Sequence, residues 1–371
     1  MRIESITGHS LSLPFVQPLV TSKATYRRRR TLLVVCTLVE DGGERTWRGF
    51  GEAAPLADWT DEDVDDCQQV LEPLEEPASP LEIDDLEELF DDGLQLPSLR
   101  FGLQGAVIDG LARLRGIPLR DFLATIGDAP DTPPPSIEIQ TVIGDGDVDE
   151  TRRATRAAIV GGSTAFKIKV GNAPVDADIE RVAAVRNLDA TATIRIDANG
   201  AWSPDQAKRA LEKLRPLDID LVEQPVGTDS RRELLELARQ SELDIAADES
   251  CSSLAAGRRL VDDGIDALAI KPGALGGLLE VRELVEYATD RGVRVVLSSL
   301  IESAVGRHTV AHLAASCGLD GPHGLGTGTW LACDVSRDGD TVADGRLHLS
   351  GRPGLGIVPR RPPQFSTTGA S

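Results

Sequence analysis

Between Ala165 and Pro272 the chain reads AFKIKVG (165–171), TIRIDANG (193–200), DLVEQP (220–225), DIAADES (244–250) and ALAIKP (267–272), five short apolar runs separated by longer polar stretches. Each contains a charged residue at or near its end: Lys169, Asp197, Glu223, Asp248 and Lys271. These residues are 28, 26, 25 and 23 positions apart, the length of one strand, one helix and two loops. The spacing predicts consecutive β/α units, in which all strands point the same way and their last residues arrive at one shared rim. Lys167 stands two residues before Lys169, so both lysines share a strand face. Three carboxylates and two or three lysines therefore converge, a costly arrangement without a cation and a substrate to neutralise it.

Working outward, SIEIQTVIG (136–144) and the helical DETRRATRAAIVGG (149–162) add a unit in front. RVVLSSLIES (294–303), the helical AVGRHTVAHLAAS (304–316) and a short HGLGTGTW (323–330) follow behind. Helical segments such as SPDQAKRALEKLR (203–215) and SRRELLELARQS (230–241) separate the runs. Eight units predict an α/β fold of the TIM-like (β/α)8 type, as eight equal units or seven plus one, over residues 128–330. The break GDAPDTPPP (127–135) marks its start.

Residues 1–127 read as an α+β capping domain. RIESITGHSLSLPF (2–15) and TLLVVCTLVEDGGERTWRGFGEAAP (31–55) alternate like antiparallel strands with a DGG turn. PLVTSKATYRRRR (18–30), polar and aperiodic, reads as a mobile loop; its Arg27–Arg30 cluster is either a solvated strand edge or a lure for an anionic substrate. Three helical stretches follow, DEDVDDCQQVLEPLEE (61–76), LEIDDLEELFDD (81–92) and RFGLQGAVIDGLARLRG (100–116). Residues 331–371 are expected to return to this domain and then fray.

A formal charge of −21, from 60 acidic against 39 basic residues, argues against nucleic acid or an anionic membrane as partner. It also reads as a surface adapted to high salt. No apolar run is long enough to span a membrane, and the start MRIESITGHS lacks a signal-peptide core, so a soluble, cytoplasmic protein is expected. Lysine occurs only at 23, 167, 169, 208, 213 and 271, leaving 33 arginines. Half the lysines thus sit on the convergent strands, where a side chain able to lose its proton has a use that arginine lacks. Cys36, Cys67, Cys251, Cys317 and Cys333 form no CxxC pair and read as reduced thiols.

Asp197, Glu223 and Asp248 make a hard, oxygen-only donor set that suits Mg2+ or Mn2+ better than zinc. The bland alternative for any one of them is an N-cap of the next helix. A carboxylate substrate held at the cation would lie between Lys167 and Lys169 on one side and Lys271 on the other. Its α-proton is acidified because the cation stabilises the enediolate, and a lysine crowded by cations can remove it. Each lysine taken alone could instead be half of a buried ion pair. His308 and His312 have a ligand-like spacing but no HExxH context, so packing is the better reading. GLGTG lacks the GxGxxG pattern of a nucleotide loop.

As a set, KIK, DAN, VEQP, ADES and IKP resemble the enolase superfamily, muconate-lactonising subgroup. GFGEAAPL (49–56) and the 100–116 helix are similar to its capping domain, and PGLGI (353–357) to its returning segment. SSLIESAVGRHTVAHLAA (298–315) with HGLGTGTWLACD (323–334) most resembles the o-succinylbenzoate synthases of menaquinone biosynthesis. The resemblance implies that Asp197, Glu223 and Asp248 bind Mg2+ and that the substrate is a small-molecule carboxylate. Lys169 would remove the α-proton and then help hydroxide leave, in a syn dehydration of 2-succinyl-6-hydroxy-2,4-cyclohexadiene-1-carboxylate. Lys271 would stay protonated, Lys167 would support Lys169, and Asn199 would assist at the metal. Ser298, Ser299, Glu302, Ser303, Gly326 and Thr327 would shape the pocket. Gln140 stands where the family pattern leads one to expect asparagine, and HGLGTGTW lacks the Asp-x-Asp pair expected of a dipeptide epimerase. The rivals are an N-acylamino acid racemase or dipeptide epimerase using Lys169 and Lys271 as opposed acid and base, a muconate-type cycloisomerase, and a barrel that binds an acidic ligand without turnover. Superfamily barrels often associate, which allows a homo-oligomer, although no patch identifies an interface.

Overall fold

The computed structural model describes residues 2–360 except 22, 23, 41, 44, 76, 78–95, 128, 129, 131 and 337–340. The stretch LEIDDLEELFDD and the tail beyond 360 lie outside the described residues. Strands β1 (Arg2–Val20), β2 (Thr25–Val39) and β3 (Thr46–Ala53) form an antiparallel meander. The segment read as a mobile loop is instead the end of the β1–β2 hairpin, with Leu13 opposite Arg29 and Leu19 opposite Tyr26. Its strand character was hidden because an arginine fills the inward position that an apolar residue usually marks. Arg29 is buried and donates to five carbonyls: Ala54 (2.5 Å), Pro55 (2.7 Å), Arg30 (2.9 Å), Leu300 (3.1 Å) and Ile301 (3.2 Å). β3 pairs with β2 only from Leu32 onward, so the cluster has β1 on one side alone, as the strand-edge reading expected; the exposed Arg30 pairs with Asp65 and the exposed Arg28 bonds Ser12.

Helices α1 (Val64–Glu75), α2 (Pro97–Arg115) and α3 (Leu119–Ala124) follow. α2 lies so close to β3 that a Cβ on Gly51 would sit 1.9 Å from the Gly102 carbonyl oxygen, and only glycine tolerates that approach. α3 begins just beyond Gly116, whose φ of 69° ends α2, and was not foreseen.

The chain then runs through β4 (Ser136–Glu138), β5 (Thr141–Ile143), α4 (Val148–Val160), β6 (Ala165–Lys169), α5 (Val175–Leu188), β7 (Thr193–Asp197), α6 (Pro204–Leu214), β8 (Leu221–Glu223), α7 (Arg231–Gln240) and β9 (Ile245–Ala247). α8 (Leu254–Asp262), β10 (Ala267–Ile270), α9 (Pro272–Leu275), α10 (Leu278–Thr289), β11 (Arg294–Leu297) and α11 (Ala304–Ser316) complete the series. β5 to β11 form one curled, wholly parallel seven-stranded sheet in chain order. Its outer core includes Phe166, Ile168, Ile194 and Ile196, while Leu221, Ala246, Ala267 and Val296 form a separate small cluster. By the alternation of strand side chains, that cluster shares its face with Glu223, Asp248, Lys271 and Ser298. Glu223, Asp248 and Ser298 therefore stand one step above an apolar plug, and Lys271 two.

Two expectations fail in detail. SIEIQTVIG is not one strand: β4 pairs antiparallel with β13 (Arg346–His348), itself paired with β12 (Val342–Ala343), and only β5 joins the parallel sheet. The eighth strand reduces to His323, bridged to Ile139, and Gly324, bridged to Ser298, which link the two edges of the sheet. Residues Gly326–Trp330 turn into a 3-10 helix, where a Cβ on Gly326 would lie 2.7 Å from the Gln140 carbonyl oxygen. Beyond β13 the chain meets α2 and α3, through Leu355 N to Asp109 (2.6 Å), Arg113 to the Ile357 carbonyl (3.0 Å) and a Pro118–Gly354 bridge. Every residue of α11 is buried, and His312 takes a bond from Arg120 N (3.1 Å), a packing role. No helix among the described residues is long and apolar enough to cross a membrane.

Substituting Arg29→Met strips a donor from five carbonyls in a water-poor interior. At about 1–3 kcal/mol for a buried group left unmet, the expected loss is about 3 kcal/mol or more, read as a lower urea midpoint. A loss below about 1 kcal/mol would show that water or neighbours replace the guanidinium.

Candidate active site

Successive units deliver their last residues to one rim. Lys169 pairs in register with Asp197, and Asp197 with Glu223; Asp248 and Lys271 stand one residue past β9 and β10. Lys167 Nζ lies 2.8 Å from Asp197 and 2.6 Å from Glu223. Lys169 Nζ lies 2.7 Å from the same Asp197 oxygen and 2.6 Å from Asn199 Oδ1. Lys271 holds both oxygens of Asp248, at 2.6 Å for Oδ2. The side chain of Lys169 is 32% exposed against 10% for Lys167 and 12% for Lys271, so of the three it is the one most open to a ligand.

Burial would raise the Asp197 carboxyl, yet Lys167 and Lys169 outweigh it and hold the group below the usual range. Burial likewise opposes the Lys167 ammonium, but Asp197, Glu223 and Asp248 together hold its pKa well above that of an ordinary lysine. The unresolved repulsion falls on Glu223, pushed up to about 7 by burial and by Asp197 and Asp248, against the pull of Lys167 and Lys271. Among the described residues no three acidic, histidine or cysteine side chains already surround one point, because lysines stand between the carboxylates. The donors still fit a hard divalent cation in kind: three buried carboxylates, close enough to disturb one another, while the Cys251 thiol near Asp248 is pushed up to about 12 by burial and by that carboxylate and so offers no thiolate.

The rim is strained where it carries these groups. Asn199 and Gln224, just past Asp197 and Glu223, have φ of 43° and 39°, and Ile301 has 62°. Gln224 explains the placement of Asp248: its amide oxygen accepts from Asp248 N (3.0 Å) and Ser250 N (3.1 Å), while its nitrogen donates to Val226 O and Ser250 Oγ, both at 2.8 Å. Sequence reasoning quoted VEQP but used only its glutamate. Asn199 also donates to Glu249 (2.9 Å), a second residue that was missed.

The pocket residues separate into groups. Ser299 and Thr327 bond each other (2.8 Å), and Gly326 packs on Gln140. Ser303 is turned away, its hydroxyl bonded to Glu52 (2.5 Å). Ser298 Oγ and both oxygens of Glu302 are buried without a hydrogen-bond partner among the described residues. Gln140 is buried with its amide oxygen 3.4 Å from Arg195. Trp59, one of four tryptophans too scattered in the sequence to suggest a stacking platform, has its ring centroid 3.6 Å from Lys271 Nζ.

Glu223 generates a pH signature in the metal-free protein. From pH 4.5, the ordinary glutamate value, to about 7 the folded chain keeps a proton that the unfolded chain has released. The folded state binds more protons there, so this contribution to stability falls as pH rises through the window. Urea midpoints of a Glu223→Gln variant are expected to lack that fall; an identical pH trend in both proteins would contradict the raised carboxyl.

Comparison with known proteins fits this geometry. Residues 150–362 match the family model described as enolase C-terminal domain-like. The chain is 27% identical to the L-Ala-D/L-Glu epimerase of Bacillus subtilis over 96% of its own length and 97% of the relative's. It is 37% identical to the o-succinylbenzoate synthase of Thermobifida fusca over 50% of its length and 58% of the relative's. A solved substrate-liganded complex of the Bacillus subtilis epimerase superposes with a TM-score of 0.84 at 26% identity, covering 97% of this chain and 99% of that one. With the family model spanning more than half of its length, the chain belongs to the enolase superfamily.

Proposed function

We propose that the chain is a Mg2+-dependent lyase that dehydrates 2-succinyl-6-hydroxy-2,4-cyclohexadiene-1-carboxylate to o-succinylbenzoate. The observation that carries this reading is the order of groups along the sheet: Lys169 on β6 and Lys271 after β10 flank the acids that end β7, β8 and β9. On this reading His323 and Gly324 act as the eighth member of a (β/α)8 barrel, and residues 1–127 cap its mouth.

Asp197, Glu223 and Asp248 would hold the cation, which supplies positive charge beside the substrate carboxylate and so acidifies the α-proton. Lys169, the most open of the lysines, takes that proton as general base. The C–H electron pair moves toward the carboxylate, where Lys271 opposes the developing negative charge from the far side. The electrons then return to form the new ring double bond as the C–O bond to the hydroxyl breaks. Lys169, now an ammonium on the same face, gives its proton to the departing hydroxide, and water leaves. Lys167, bonded to Asp197 and Glu223, fixes the acid beside which Lys169 works and that acid's neighbour.

A second reading is supported by the epimerase relative, which aligns over nearly the whole chain. There the same enediolate is reprotonated by Lys271 from the opposite face. The position of Lys271, held by Asp248 and covered by an indole ring, favours a fixed ammonium over a group that exchanges protons.

Purified protein in high salt with Mg2+ is expected to convert the cyclohexadiene substrate, and a chelator to abolish the conversion. No turnover by folded, Mg2+-loaded protein would sink the lyase reading and send attention to α-deuterium exchange on N-acylamino acids and dipeptides. Lys169→Ala is expected to lower kcat by about 10^3-fold, the scale of a lost general base; a non-catalytic ligand-binding barrel would show no turnover to lose. Lys271→Arg keeps charge but cannot exchange a proton. It should retain measurable dehydration while abolishing racemisation, and total loss of dehydration in a folded variant would count against a purely electrostatic Lys271.

A further inference from the structure

We propose that Trp59 is a positioning residue for Lys271: its indole face holds the ammonium when Asp248 turns toward a divalent cation, coupling the N-terminal region to cation binding. The inference rests on the reading of Asp248 as a cation ligand. Lys271 here has two partners, the Asp248 carboxylate and the Trp59 ring, whose centroid is 3.6 Å from Nζ. A carboxylate that gives an oxygen to a cation has fewer lone pairs left, and the cation's own charge opposes an ammonium held on both oxygens, so the grip of Asp248 on Lys271 loosens. The ammonium, on a side chain only 12% exposed, then needs another partner in a place where water offers little. The quadrupole of an aromatic face already in contact supplies it.

Trp59 is suited to this because its position does not depend on Lys271. The turn that carries it is closed on itself, with Trp59 N and Thr60 N donating to Leu56 O (2.7 and 2.9 Å) and Leu56 N to Thr60 Oγ1 (3.1 Å). Before the turn, Arg29 ties Ala54 and Pro55 to Leu300 and Ile301 on the sheet side. After it, Glu62 accepts from Ser98 N (2.8 Å), and Ser98 Oγ donates to Gly273 O (2.9 Å), two residues past Lys271. Buried bonds on both sides thus fix the ring over the strand end that carries the lysine. Without the ring, Lys271 would keep its hold on Asp248 and compete with the cation. Cation affinity should therefore depend on Trp59, but only while Lys271 is charged.

The test is Mg2+ calorimetry on intact wild-type protein, Trp59→Phe, Trp59→Leu, Lys271→Met and the Trp59→Leu/Lys271→Met double variant, with tryptophan fluorescence recorded in parallel. Trp59→Leu is expected to weaken Mg2+ binding about tenfold, the scale of a partly desolvated cation–π contact. Trp59→Phe, which keeps a ring, should stay within about threefold of wild type, and Trp59→Leu should have no effect once Lys271 is Met. Mg2+ should change the wild-type fluorescence by a component that Trp59→Phe lacks. Wild-type affinity in Trp59→Leu, or an equal loss in the Lys271→Met background, overturns the coupling while leaving the functional reading intact. Failure of the wild type itself to bind Mg2+ removes both.

Discussion

Three buried carboxylates at the mouth of a parallel sheet, two of them above Leu221 and Ala246, are the constraint that the surrounding structure answers. Taking such groups out of water costs several kcal/mol each unless opposite charge and hydrogen bonds meet them. Lys167, Lys169 and Lys271 meet that need, and Glu223 carries the imbalance that remains. The chain uses arginine almost everywhere else, including inside the sheet. Arg195, on the same strand face as Asp197, bonds Asp220 (2.7 Å) and the Pro322 carbonyl (2.5 Å), where a permanent charge with a fixed fork is suitable. Lys167 stands level with Arg195, and Lys169 one layer higher beside Asp197, where a compact ammonium can move between partners or surrender a proton.

The site also requires its roof to be held in place. Ile301, a β-branched residue, sits at a φ of 62°, a conformation that costs about 1–3 kcal/mol. Arg29 binds the carbonyls of Leu300 and Ile301, and Ser299 accepts from Ile301 N (2.7 Å), so the strained turn is fixed from two directions. Glu52, at the end of β3, completes the tie by accepting from Ser303 N (2.9 Å) and Gly306 N (2.9 Å) at the start of α11. Burial raises the Glu52 carboxyl, while the bonds from Ser303 and Gly306 pull it back. A helix whose entire length is buried is thereby capped by a residue far away in sequence, and the N-terminal sheet becomes part of the rim.

What could be read from the sequence divides along the same line. The strand-ending residues were legible because a repeated apolar run with a charged end is a local pattern, and successive β/α units place equivalent residues at equivalent heights. Arg29, Gln224 and Trp59 escaped because their significance lies in partners remote in sequence: carbonyls at 300 and 301, an amide at 248, an ammonium at 271. The split of SIEIQTVIG had the same cause, since β4 is claimed by β13 some two hundred residues later. The mobile-loop reading of 18–30 failed for a related reason, because alternation was sought in apolar residues while the buried position was filled by a guanidinium with five acceptors. Ser303 had the right residue type and neighbourhood for the pocket, but a helix start and Glu52 claim its hydroxyl.

The charges of the proposed site set a condition on its substrate. Counted as ions, the three acids and three lysines balance, in keeping with their close pairing. A divalent cation would bring two positive charges into a space with little water. One is removed if Lys169 is neutral, as a base must be, and the other if the substrate contributes one carboxylate. The assembly is then neutral before proton transfer and, since the proton only moves from carbon to Lys169, remains so afterwards. A second carboxylate on the substrate would leave this inner site over-charged and must be received elsewhere, toward the strained rim and its N-terminal roof. Selection among acids that share the same α-proton chemistry would then be exercised by groups such as Trp59 and the Ser299–Thr327 pair, outside the set that performs the proton transfer.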